Sequence, residues 1–414
     1  MRDAAVLKGL ATGIGSLPYR DAETALELVF RRTPRAPFWP QLPKRGACEG
    51  MVAQFFQNFP CLKLKDGSVY LDVSAPESEL EVFYEKVISG DNAYFAITPD
   101  FAPGIYAYRD RLRGNGAKGA DFLKGHITGP FTFASSVADE KGTALLHNEI
   151  MMQAVVKGLA GKAKWQIDFL KEFGKQTIIF VDEPYLGCFG SAYTPVTRQK
   201  AVEVMSELCS DIKAHGALTG VHCCGNTDWS ILTEAAGVDI ISFDAFNFLD
   251  RIVLYASEIS AFLDKGGILC WGIAPTREFT GAETPESLLE KIDSGVEMFR
   301  RKGVDAEKVR ERLIVSPSCG LGSLVALERV GEHEPDHQRV KDPGEGEDRL
   351  APFLAAPQAF RHQLADEEDR ERGHTNGHQQ DHQACEQRSH WSSRSCDGGT
   401  VIVRPSTSSP SSTR

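Results

Sequence analysis

Between residues 9 and 320 the chain alternates between two kinds of hydrophobic periodicity. Eight short apolar or β-branched runs end in Gly, Pro or polar residues: GLATGIGS (9–16), APFWPQLP (36–43), LKGHITGP (123–130), QTIIFVDEP (176–184), ALTGVHCC (217–224), VDIISFDAF (238–246), GILCWGIAP (267–275) and RLIVSPSCG (312–320). Runs of this length and composition read as buried strands. Between several of them lie amphipathic stretches at helical spacing, at 150–173, 196–214, 251–265 and 284–302. Strand and helix in alternation is the pattern of βα units joined into a parallel sheet. Eight strands favour a closed α/β architecture, the (β/α)8 TIM barrel, over an open sheet whose edges would need protection. One segment breaks the alternation. Residues 61–122 hold a strand-like SVYLDVS and a Tyr- and Gly-rich portion, and read as an excursion after the second strand, placed to cover the barrel mouth.

The pattern stops near residue 330. Residues 331–414 carry seven of the eleven histidines, show almost no apolar periodicity and end in RPSTSSPSSTR. Such a composition cannot bury enough surface to offset its ordering entropy, so disorder is expected. The change falls within the last barrel helix, which opens GLGSLVALERV and passes into GEHEPDHQRVKDPGEGED. Either this is a natural tail, or a shifted reading frame has replaced the helix. The expected organisation is a single barrel over 1–330 and a low-complexity tail over 331–414. Cys385 and Cys396 sit among the tail's histidines at irregular spacing, which fits solvated polymer better than a metal site.

A chain of 414 residues with 42% hydrophobic side chains can build a core of barrel size. Its 46 Lys+Arg against 57 Asp+Glu give a net charge of -11, with no basic stripe interleaved by aromatics, so nucleic acid is not expected as a partner. No run approaches the roughly 18 apolar residues of a membrane span, and the first apolar stretch is too short for a signal peptide. A cytoplasmic protein without a membrane partner is expected. Its ten cysteines are then reduced, and serve as metal ligands or core filler rather than disulfides.

Ligand-type residues gather at the strand ends, where barrel enzymes carry their chemistry. In the fifth run, His222 and Cys224 stand two apart and face one centre, while Cys223 turns away. Cys319 closes the eighth run and Asp244 the sixth. Imidazole, two thiolates and a carboxylate suit tetrahedral zinc, and a site assembled from three strand ends leaves one face open to an incoming ligand. Cys48, Cys61, Cys188, Cys209, Cys223 and Cys270 lack that company and place, and read as core filler.

The succession GIGSLP, ITGPFTF, FVDEPYL, HCC, SFDAF and SPSCGLG resembles the catalytic domain of the cobalamin-independent methionine synthase family, within the barrel superfamily that also holds uroporphyrinogen decarboxylase. The resemblance covers about residues 8–325. It implies a zinc-dependent methyltransferase that methylates a small thiol, homocysteine, to give methionine. His222, Cys224 and Cys319 would bind Zn2+, with Asp244 where the family has a glutamate ligand. Ile14, Gly15 and Ser16 would cradle the amino acid part of the thiol, and Asp182 would hold its ammonium group. The chemistry agrees, because a Gly-rich turn lets backbone approach a ligand and a carboxylate at a barrel mouth pairs naturally with ammonium.

Departures from the family concern the methyl donor. Ser136 stands nearest the family's pterin-stacking tryptophan, and Ala274 stands where a proton-donating histidine follows the seventh strand. The N-terminal barrel of the two-domain enzymes has no counterpart, and Glu49 is close to the family's early glutamate but out of register. A methyl-corrinoid protein needs neither missing side chain, and methyltetrahydrofolate is the other donor. Two competing readings remain. A uroporphyrinogen decarboxylase-like lyase would leave the zinc set unexplained and lacks that family's arginine-rich opening motif. A non-catalytic zinc-binding barrel predicts a closed site, with Cys223 or another residue in the fourth position.

Overall fold

A computed structural model of the chain describes residues 8–191, 196–277, 280 and 282–324. The tail at 331–414, including Cys385 and Cys396, lies outside the described residues, as does the expected last helix beyond residue 324. In chain order the elements are β1 (Leu10–Ala11), α1 (Ala22–Arg32), β2 (Leu62–Lys65), β3 (Ser68–Leu71), α2 (Ser78–Ser89), α3 (Pro103–Arg113), β4 (Phe122–Thr128), α4 (Pro130–Ser136), α5 (Glu149–Leu170), β5 (Gln176–Asp182), α6 (Arg198–Ala214), β6 (Leu218–Cys223), α7 (Ser230–Glu234), β7 (Ile240–Phe243), α8 (Ala245–Ile252), α9 (Ala256–Asp264), β8 (Ile268–Ala274), α10 (Pro285–Arg301), α11 (Ala306–Glu311) and β9 (Leu313–Pro317).

Seven strands form one parallel sheet in the order β1-β9-β8-β7-β6-β5-β4. Side chains alternate across it. Leu10, Ile14, Ala36, Phe122, Ile178, Ile240, Ile268 and Ile314 pack into one cluster. Their neighbours, including Leu123, Ile179, Val221, Ile241, Leu269 and Val315, pack in a second, larger cluster with helix residues such as Leu208 and Ile259. Leu10 and Phe122 belong to the two edge strands yet share the inner cluster, so the sheet is curled. This is an α/β half-barrel with helices on its outer face.

Seven of the eight expected strands form, and the run at 36–43 does not. Pro37, Pro40 and Pro43 carry no N–H, so no continuous ladder is open to it. The segment is nevertheless hydrogen-bonded on both sides. Towards β4, the Lys124 amide donates to the Pro37 carbonyl (3.0 Å) and the Trp39 amide to the Lys124 carbonyl (3.3 Å). Towards the GIGS turn, the Gln41 amide donates to the Gly15 carbonyl (3.1 Å) and the Leu17 amide to the Gln41 carbonyl (2.9 Å). Gly13 lies flat on Phe38, where a Cβ would stand 2.3 Å from the ring.

The excursion after the second run packs on the barrel's flank. Its β2–β3 hairpin is antiparallel, and α2 and the turn at 92–95 lie against α5. Gly158 and Gly161 make this possible: a Cβ at either would stand 2.4 Å from the Phe59 or Phe95 ring, so Phe95 of the excursion and Phe59 just before it seat directly on the helix backbone. The end of β4 is instead overlain by residues 51–55. Thr128 Oγ1 donates to the Met51 carbonyl, and the buried Phe55 ring meets His126 edge-on at 6.1 Å. Among the described residues no helix is long and apolar enough to cross a membrane.

Candidate metal centre

His222 and Cys224 stand at the end of β6, and Cys319 follows β9. Each contributes one ligand atom, and the three atoms lie within 4.8 Å of one another. Strand alternation separates the cysteines of β6 as expected. The buried Cys223 thiol belongs to the outer cluster and donates to the Gly225 carbonyl (3.5 Å). The side chains fit a tetrahedral zinc, for which Zn–S and Zn–N bonds of about 2.3 and 2.0 Å leave ligand atoms roughly 3.3–3.8 Å apart, so only a small contraction is needed.

Two details of the imidazole agree with that role. His222 Nδ1 pairs with Ser242 Oγ at 2.9 Å, whereas Nε2 is buried and has no hydrogen-bond partner among the described residues. A metal-binding histidine shows this division: one nitrogen oriented by a neighbour and the other presented. The Cys319 thiol is held well above its ordinary range by its hydrogen bond to the Cys224 sulfur and by burial. Two adjacent thiols resist ionising together, and a cation between them is what would reverse this.

The loop that carries Cys319 is fastened to the GIGS turn. The Leu321 amide donates to the Ser16 carbonyl (2.9 Å) and the Gly322 amide to Ser16 Oγ (3.2 Å). Glycine is required at 320, because a Cβ there would stand 2.2 Å from Ser16 Oγ. Ser16 thus fastens the loop that carries Cys319, a contact its expected substrate role did not include. Ile14 is buried, and its carbonyl accepts from Lys124 Nζ at 2.6 Å. Gly15 faces His126, and a Cβ would stand 2.8 Å from Nδ1.

Asp182 pairs in register with His222, which pairs in turn with Ser242. Asp182 Oδ1 is buried without a hydrogen-bond partner among the described residues. Burial pushes its carboxyl up to about 6, against the pull of His222 and Lys124. Asp244 is not brought into the three-ligand group. Its Oδ1 accepts from the Asn247 amide (2.9 Å) and its Oδ2 from Asn247 Nδ2 (2.7 Å), so it caps α8. Glu183, the neighbour of Asp182, accepts from the Phe131 and Thr132 amides (2.8 and 2.7 Å) and from the Thr132 hydroxyl. It is a buried cap for α4. Glu49 is likewise occupied locally, by the Leu42 amide (2.8 Å) and Arg45 (2.7 Å).

Lys124 and His126 were not singled out from the sequence. Both lie on the inner face of the curled sheet, on a strand that is buried along its whole length. The available signal was their spacing: in LKGHITGP a lysine and a histidine occupy alternate positions of one inward face.

No protein-family model matches the chain. Over 205 residues it is 25% identical to the methionine synthase of Methanocaldococcus jannaschii, a stretch that covers 49% of this chain and 59% of that relative. The match therefore spans less than two thirds of the relative's length. Among solved structures, a candidate vitamin-B12 independent methionine synthase from Listeria monocytogenes superposes with a TM-score of 0.42 at 12% identity, over 76% of this chain and 92% of that one. A modular endo-β-1,4-mannanase from Cellulomonas fimi superposes with a TM-score of 0.32 at 14% identity, over 63% and 57%. Superpositions this loose carry no argument about function.

Proposed function

The chain is a relative of methionine synthase, and from that premise we propose that it is a zinc-dependent methyltransferase that methylates homocysteine to methionine. The single observation that carries the reading is the convergence of His222, Cys224 and Cys319 within 4.8 Å. The scaffold in this reading is a (β/α)8 barrel within residues 1–330, with the segment at 36–41 in the eighth place, between β4 and the GIGS turn. Zinc held by the three side chains supplies a Lewis acid that keeps a substrate thiol ionised at neutral pH.

The chain's own residues do the rest. Ser242 fixes the His222 ring, and Ser16 fixes the Cys319 loop. Asp182 receives the substrate ammonium, and residues 51–55 shield the end of β4 from water. The new S–CH3 bond forms at the thiol sulfur as the methyl–donor bond breaks, with the electron pair leaving on the donor. No covalent enzyme intermediate is required, only alignment of the two reactants. Asp244 reaches the metal only by giving up Asn247. His222, Cys224 and Cys319 would hold the zinc, which would then supply the Lewis acidity to a substrate thiol. Of the residues that could close a non-catalytic site, Cys223 faces away.

The donor follows from what replaces the family's folate-binding groups. Ser136 spends its hydroxyl on the Thr132 carbonyl (2.7 Å), and Ala274 is a buried methyl. Losing an aromatic stacking partner costs about 1–3 kcal/mol, or roughly tenfold to a hundredfold in affinity. Methylcobalamin or a methyl-corrinoid protein should therefore outperform methyltetrahydrofolate. The test is homocysteine methylation with each donor at equal concentration, with Cys224→Ser as the control. A clear preference for methylfolate overturns the donor, and equal rates in wild type and control overturn the methyltransferase.

A further inference from the structure

His126 is set more rigidly than a filler residue needs to be, and its ring nitrogens are left without partners among the described residues. Its ring stacks on Trp39, with centroids 3.8 Å apart and planes 23° apart. Trp39 Nε1 donates to Gln166 Oε1 (2.8 Å), and Gln166 Nε2 donates to the His126 carbonyl (2.9 Å), so ring and backbone are held by one closed set of contacts. The residue is 1% exposed. Both ring nitrogens are buried, and neither has a hydrogen-bond partner among the described residues. A phenylalanine would keep the stack without burying two polar atoms that each demand a partner. The nitrogens thus keep a donor and an acceptor in reserve on the inner face of the sheet.

Position narrows what that is. The GIGS turn passes directly over the ring at Gly15, where any side chain would strike Nδ1. On the next strand Phe180 pairs with His126 and Asp182 with Thr128, so Asp182 projects from the same inner face one step nearer the barrel mouth. Asp182 Oδ1 is also buried and has no hydrogen-bond partner among the described residues. Lys124, the buried cation below, is committed to the Ile14 carbonyl. Burial holds the imidazole well below its ordinary range, so it is neutral and offers one N–H and one lone pair. A carboxylate beside a donor is the complement of an ammonium beside a carboxylate.

We propose that His126 binds the zwitterionic head group of the amino-acid thiol, its ring N–H donating to the substrate carboxylate while Asp182 takes the ammonium. This rests on the thiol-methylation reading and adds to it a residue that recognises an α-amino acid rather than any small thiol.

The test is calorimetric titration of metal-loaded protein with three ligands: homocysteine, propanethiol, which lacks the head group, and 2-aminobutyrate, which lacks the thiol. His126→Phe should weaken homocysteine and 2-aminobutyrate about tenfold to a hundredfold, leaving propanethiol affinity and metal content unchanged. His126→Gln, which restores a donor and an acceptor, should recover part of the loss. His126→Met serves if the phenylalanine variant does not fold. Unchanged homocysteine affinity in His126→Phe overturns the proposal, as does an equal loss for all three ligands. If wild type binds 2-aminobutyrate but neither thiol, the methyl-transfer reading fails alone, and the 2-aminobutyrate arm still decides the role of His126. If wild type binds none of the three, both fail.

Discussion

Cys319→Ser is expected to strip the metal from the protein and reduce homocysteine methylation to background. Changes to residues that merely orient a metal ligand cost about tenfold to a hundredfold in metal affinity. Removing one of three direct ligands should exceed that, because a serine hydroxyl stays protonated at neutral pH and offers a harder, weaker donor than thiolate. His222→Ala should behave alike, since Nε2 has no other partner among the described residues. Cys223→Ser separates ligand loss from general disturbance of β6. That thiol lies one residue away but on the outer face, bonded to the Gly225 carbonyl, so metal content and rate should stay close to wild type. Metal measured by mass spectrometry on each purified variant decides the matter. Equal zinc in Cys319→Ser and wild type would remove the proposed site.

Lys162→Met is expected to stabilise the fold at neutral pH and to flatten its alkaline pH dependence. Lys162 lies in α5 with no exposed surface, and its Nζ donates only to the Ala96 carbonyl, at 3.3 Å, among the described residues. Burial pulls the ammonium down from 10.5 to about 7. A base whose folded value is depressed binds fewer protons folded than unfolded throughout that window. Stability is therefore highest above about 10.5 and falls as pH drops through 7, by on the order of 5 kcal/mol in all. Between pH 7 and 9, wild type should gain about 2–3 kcal/mol that the methionine variant does not. Methionine nearly matches lysine in length and carries no charge to desolvate, so the variant should have the higher urea midpoint at pH 7. Parallel pH profiles for the two proteins would show that Lys162 finds a better partner than the Ala96 carbonyl.

Much of this was legible in the chain because period and position carry direct physical meaning. The two-residue spacing of His222 and Cys224 placed both on one face, and the same rule turned Cys223 outward. Cys319 was found by its place at the end of a strand. The run at 36–43 was apolar enough to pass for a strand, but its three prolines allow only isolated bridges. Asp244 shows how one signal supports two readings. An acid at a strand end reads as a ligand, yet the same residue before Ala245-Phe246-Asn247 is an N-cap, and the helix took it. Phe59 and Phe95 gave no hint of their seat, because the matching hollows are Gly158 and Gly161, far along the chain from either ring. His126 escaped notice for a related reason: an unsatisfied nitrogen is a property of the packed interior and has no counterpart in a one-dimensional pattern.

The central claim is that the three side chains hold a metal that receives the substrate's sulfur. Cobalt(II) in place of zinc makes this visible, because sulfur-to-cobalt charge transfer absorbs in the near ultraviolet. Titrating the cobalt-loaded protein with homocysteine should add intensity to that band and saturate at one thiol per metal, and Cys223→Ser should respond as wild type does. A spectrum that does not change at saturating homocysteine would contradict the account, because the metal would then be a fixture of the fold with no place for a thiol.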